Sequence, residues 1–185
     1  MSLLPGLLWW TQEPGGLPAI STLSTESLLF LLGGVLMVAP SAMAEELLFR
    51  GYLLQQLAAH HLSMVVWAAI PSLVFGLIHY DPALGFAEQW VYLFSTAVFG
   101  AVCCYATWRT GSLGYAVGFH VANNWIAFYV LAPELSIESI AAVFAEPYES
   151  ALIDLIFTPL YIIAVALTLE TARAQRWLGL PRLSD

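Results

Sequence analysis

The chain has 185 residues, of which 60% are hydrophobic and 10% charged, with a mean hydropathy of +0.79. That makeup excludes an ordinary soluble domain and marks an integral membrane protein. Five basic residues, all arginine, stand against thirteen acidic ones for a net charge of -8, which leaves no basic footprint for nucleic acid. The expected fold class is all-α: a polytopic transmembrane helical bundle of about five spanning helices around a conical or central polar cavity. It is expected as a single integral membrane domain over residues 1–185.

Residues 1–23 carry no Lys or Arg before a short apolar patch that Pro5, Pro14 and Pro18 interrupt, which does not fit a signal peptide. Trp9 and Trp10 suit an interfacial anchor, so this stretch is expected to lie at the membrane surface. The transmembrane core is expected over 24–170. A spanning helix takes about 20 largely apolar residues. Five stretches meet or approach that length: 26–58, 63–80, 90–108, 113–132 and 151–170. Ser24 or Thr25 suits the cap of the first, with Glu26 in its first turn. Gly33, Gly34 and Pro40 within it predict a kink or break near Pro40. Pro71 and Pro159, in the second and fifth, are tolerable in lipid where neighbouring groups satisfy the freed carbonyls. Cys103 and Cys104, in the third, are sequence neighbours; that spacing suits neither an ordinary disulfide nor a CxxC site, and they read as small core or lipid-facing residues.

Between these stretches, "DPALGFAEQ" at 81–89 and "RTGS" at 109–112 are short turns. The longer connection, 133–150, carries Glu134, Glu138, Glu146 and Glu149, and "SIESIAAVFAEPYES" there is expected as a short amphipathic surface helix. Five alternating spans put Arg109, Arg173, Arg176 and Arg182 on one side. By the positive-inside rule the tail, 171–185, is cytoplasmic, in a multi-pass protein of the cell (inner) membrane.

A charged side chain at mid-membrane costs about 2.5 to 3.5 kcal/mol on insertion scales, so each one needs a partner, an aqueous cavity or a function. The candidates are Glu45, Glu46, Arg50, His79, His120, Asn123, Asn124 and Asp154. Glu46 and Arg50 are four apart, with the acid N-terminal to the cation, the favourable order for a same-face ion pair. Glu45 points about 100° around the helix from Glu46 and is left for other work. Phe75 shares a face with His79, and His120 shares one with Asn124. One carboxylate, two imidazoles and an amide thus arise from three helices, and a bundle can converge such groups on one interior site. Taken singly, His79 also reads as a satisfied interfacial histidine, Asn124 as a bridge between helices, and Phe75 as core packing. His60 and His61 read as surface residues and Asp154 as interfacial. As a set they point to a functional site, because intramembrane ionisable residues default to function.

The order EExxxR at 45–50, FxxxH at 75–79 and HxxxN at 120–124, each on its own hydrophobic stretch, resembles the CPBP family of intramembrane proteases. That family groups type II CAAX prenyl endopeptidases with bacterial bacteriocin-processing and immunity-type membrane proteins. No HExxH, GxGD or GxSG motif of the other intramembrane protease classes is present. The resemblance implies an eight-helix or similar bundle in longer members, so N-terminal helices of that architecture are not expected here. It implies Glu45 as general base, His79 as a second group activating the attacking water, and His120 and Asn124 as stabilisers of the oxyanion, with Glu46, Arg50 and Phe75 as structural support. No cofactor is favoured. If the family's metal-dependent version applies, Glu45, His79 and His120 supply the zinc ligands.

The expected partners are a peptide or membrane-protein substrate and the lipid bilayer. Two other classes stay open: a non-catalytic scaffold or regulator that keeps the polar cluster for packing, and a small proton-coupled transporter. The transporter would be expected to show internal repeats and paired broken helices, which the sequence lacks.

Overall fold

The computed structural model describes residues 25–60, 63–131, 150–171, 175, 178 and 179. Among them there is no strand. Helix α1, Thr25–Glu46, passes directly into a π-helix, π1, Leu47–Leu53, and then into α2, Leu54–His60. The first predicted stretch is therefore one unbroken helical run. The break expected near Pro40 is absent: α1 continues through that proline, which removes only one N–H, and the irregular turn follows it as π1.

Helix α3, Met64–Ile78, begins after Ser63 and runs through Pro71. The Ser72 hydroxyl donates to the Ala68 carbonyl at 2.6 Å, the kind of local bond that supports a helix around a proline. A tight turn follows, in which Asp81 Oδ1 accepts from the Ala83 N–H at 2.8 Å. Helix α4, Phe86–Thr110, opens with Glu88 Oε2 accepting from the Gly85 N–H at 3.1 Å and closes on Gly111, whose φ of 64° is the left-handed value a helix C-terminus favours in glycine. Helix α5, Gly114–Trp125, widens into π2, Ile126–Leu131, and α6, Ser150–Val165, widens likewise into π3, Ala166–Glu170.

Among the described residues, two runs, Leu31–His60 and Phe86–Thr110, are long and apolar enough to cross a membrane, and Met64–Ile78 is a shorter apolar helix. The distribution of side chains is that of a membrane protein. Leu32, Leu36, Met37, Leu73, Leu77, Phe86, Phe94 and Ile163 are exposed, while Glu46, Arg50, Gln89, Arg109 and His120 are buried. A water-soluble fold would reverse that order.

The chain divides into two compact units, one drawn from Met1–Val38 and Asn123–Pro147, the other from Ala39–Ala122 and Tyr148–Asp185. In the first, Trp125 Nε1 donates to the Leu31 carbonyl at 2.7 Å, and the Tyr129 ring fills the space where a Cβ on Gly34 would lie, 2.6 Å away. The second has an aromatic core of Phe49, Phe75 and Phe99 with Cys103 and Ala116. Cys103 and Cys104 are both free and buried, so they are core residues rather than lipid-facing ones. Helices α3 and α4 pack most extensively, with Gly76 placed where a Cβ would meet the Leu93 carbonyl at 2.8 Å.

The Trp9–Trp10 segment, His61, the predicted surface helix with its four glutamates, and Arg173, Arg176 and Arg182 lie outside the described residues. His60 is exposed, as expected for a surface residue.

Candidate active site

Glu46 ends α1, and Arg50 sits one turn on, inside π1. Both side chains are fully buried, and Arg50 Nη1 donates to Glu46 Oε1 at 2.9 Å. The second terminal nitrogen is also held, while Nε is buried without a hydrogen-bond partner among the described residues. Nη2 donates to the Gly100 carbonyl at 3.0 Å, and the guanidinium plane lies over the Phe75 ring at 4.6 Å, a favourable cation–π arrangement when desolvated. Gly100 provides the room: a Cβ there would lie 3.3 Å from Nη2 and 3.1 Å from Ser72 Cα.

His79 is the C-terminal cap of α3, beyond the last residue of the helix proper. Its Nδ1 donates to the Phe75 carbonyl at 2.7 Å. A carbonyl only accepts, so this nitrogen carries the proton and Nε2 is the other edge. His120 lies mid-way along α5 and is buried, with its ring edge-on to Phe99 at 5.1 Å and Phe75 at 5.8 Å. Its Nδ1 pairs with Glu46 Oε1 at 2.7 Å. Sequence spacing gives Glu46 only the Arg50 partner, whereas the same oxygen serves the imidazole as well.

Glu45 faces the remaining edges of both rings. Its Oε2 is 3.9 Å from His79 Nε2 and 3.8 Å from His120 Nε2. Oε1 accepts from the Ser41 hydroxyl at 3.3 Å, but Oε2 is buried without a hydrogen-bond partner. Such an orphan carboxylate oxygen is costly unless it has work to do. Gaps of 3.8 to 3.9 Å are too long for direct hydrogen bonds and are the kind one bridging water closes.

Three of the four residues assigned to the site are thus together. Asn124 falls in the other compact unit, where its Oδ1 accepts from Asn123 Nδ2 at 3.2 Å. Counting along the predicted spans places His79 and His120 at different depths, yet both reach Glu45. With 15 residues, α3 is about 22 Å long, shorter than the roughly 30 Å hydrocarbon core of a bilayer. Ser41 and Gly100 are neighbours of the site that carry no sequence signal of their own.

One carboxylate and two imidazole Nε2 atoms suit zinc by donor type. Both histidines also have their Nδ1 hydrogen-bonded, as ligating histidines do. Among the described residues, however, no group of three or more His, Cys, Asp or Glu side chains is gathered as a metal site.

A family model described as type II CAAX prenyl endopeptidase Rce1-like matches residues 25–126, more than half of the chain. The chain belongs to this family. All three motifs fall inside the match. The chain is also similar to the uncharacterized protein YyaK of Bacillus subtilis (strain 168), with 34% identity over 98 residues, which are 52% of this chain and 32% of that one. The chain therefore spans about a third of that relative's length. No solved structure matches it.

Proposed function

We propose that the chain is an intramembrane endopeptidase that hydrolyses a peptide bond in a membrane-associated peptide or protein tail. Membership of a CAAX endopeptidase family supports the reaction class. The observation that carries the residue assignment is the buried, unpartnered Oε2 of Glu45 between two imidazole Nε2 atoms. A water there donates one hydrogen to Glu45 and the other to His79 Nε2, which accepts because its Nδ1–H is committed to Phe75. Glu45 removes a proton as the water oxygen attacks the scissile carbonyl carbon. The oxyanion is stabilised by His120 through Nε2–H and by Asn124, assigned by its motif position one helical turn further along α5. Donation from Nε2 while Nδ1 is bound to Glu46 takes His120 with a proton on each nitrogen. Collapse of the tetrahedral intermediate breaks the C–N bond, and the proton held by Glu45 passes to the leaving amine. Each preorganised donor contributes on the order of 10²- to 10³-fold to such a step.

A metallopeptidase version of the same site is favoured by the hydrogen-bonded Nδ1 atoms of both histidines. Glu45, His79 and His120 would hold the ion, which would supply Lewis-acid activation of the bound water. The five-span topology, with a cytoplasmic C-terminus, is part of the same reading, supported by the apolar exterior and the arginine distribution. The test is cleavage of the host's membrane peptides by the purified full chain, with and without exhaustive chelation. Activity that survives chelation supports direct activation by Glu45 and His79; activity lost on chelation and restored by zinc selects the metal version. Cleavage retained by Glu45→Ala rejects both.

A further inference from the structure

We infer that Glu46, besides pairing with Arg50, is a positioning residue that dictates which nitrogen of His120 addresses the reacting centre; this rests on the endopeptidase reading above. Two donors converge on one Glu46 oxygen: Arg50 Nη1 at 2.9 Å and His120 Nδ1 at 2.7 Å. A carboxylate accepts and does not donate, so His120 Nδ1 carries a proton and its ring turns Nε2 toward Glu45, 3.8 Å away. The carboxylate is itself immobilised. Arg50 is clamped by the Gly100 carbonyl and the Phe75 face, and both charged side chains are fully buried. His79 is held by the same device with a different acceptor, its Nδ1–H going to the Phe75 carbonyl. The two rings that flank Glu45 are thus locked in one orientation, one by a backbone group and one by a side chain that mutation can remove.

The test uses the full chain in detergent micelles with ¹⁵N-labelled histidine, read by NMR, alongside kcat and KM. The wild type is expected to show a protonated Nδ1 on His120, with its proton shifted downfield by the short bond to Glu46. Glu46→Ala is expected to abolish that signal. Glu46→Gln, whose amide oxygen can occupy the same place, is expected to keep it. In activity, Glu46→Ala should lower kcat roughly 10- to 100-fold with KM within about two-fold, the range typical of groups that orient a functional histidine. Glu46→Gln should recover most of that loss. If Arg50, left unpaired, prevents Glu46→Ala from folding, the double variant Glu46→Ala/Arg50→Met removes both charges and gives the same reading. An unprotonated His120 Nδ1 in the wild type, an unchanged signal in Glu46→Ala, or equal kcat losses in the Ala and Gln variants would overturn the inference. A wild type that cleaves nothing while showing the expected histidine signals would sink the endopeptidase reading and leave the positioning role standing.

Discussion

Arg50 shows how far a single residue's spacing can be read. Four residues after Glu46, its pairing is legible from helix geometry alone, and the 2.9 Å contact bears that out. What spacing cannot supply is the partner 74 positions away: His120 of α5 reaches Glu46 through its side chain. Nor does it reveal Gly100, whose carbonyl takes the other arm of the guanidinium. Removing one member of a fully buried ion pair strands the other charge. Arg50→Ala is therefore expected to destabilise the fold by about 3 to 5 kcal/mol, measured as loss of folded protein in a detergent melt, whereas Arg50→Met/Glu46→Leu should cost much less. Similar stabilities for these two variants would contradict the buried-pair account. Arg50→Lys is expected to lose the Gly100 bond, because a single ammonium cannot reproduce the guanidinium fork.

Helix positions were legible, since each predicted stretch overlaps a helical run, but α4 takes in residues 86–89 of the expected 81–89 turn and residues 109–110 of the expected 109–112 turn. The three π segments were not legible. A π-helix shares its residue preferences with the α-helix, so no composition signal marks Leu47–Leu53. Its position directly after Glu45 and Glu46 fits the recurrence of such turns at functional sites. Span counting does not show that His79 and His120 meet at Glu45; that follows from how the helices pack. The contact of α3 with α4 depends on Gly76, where a Cβ would meet backbone, the Leu93 carbonyl at 2.8 Å, and Ala97 Cβ at 3.0 Å. Close approach over small residues is how membrane helices associate. Gly76→Ala is expected to force α3 away from α4, at a cost of about 1 to 3 kcal/mol. Because His79 caps α3, cleavage should fall as well. Unchanged melting and activity would show that the helices have slack at this crossing.

Across the whole molecule, composition alone pointed to the inverted arrangement the structure has, apolar outside and polar within. The all-helical class follows from the same physics, since a chain in lipid must satisfy its backbone polar groups internally. The number of spans rests on the five apolar stretches and their direction on the arginine pattern. Single cysteines introduced at Ser112 and Ala83, in Cys103→Ala/Cys104→Ala protein, should react with an impermeant reagent from opposite faces of sealed vesicles. Labelling of both from one face would contradict the five-span topology. The central claim is that Glu45 is the group that takes the proton from water. It is tested most directly by reconstituting wild type and Glu45→Gln in vesicles carrying the host's membrane proteins, in ¹⁸O-water, and mapping new termini by mass spectrometry. The account predicts ¹⁸O-labelled C-termini with the wild type and none with a folded Glu45→Gln of equal melting temperature. The same labelled termini forming at wild-type rate in Glu45→Gln would contradict it.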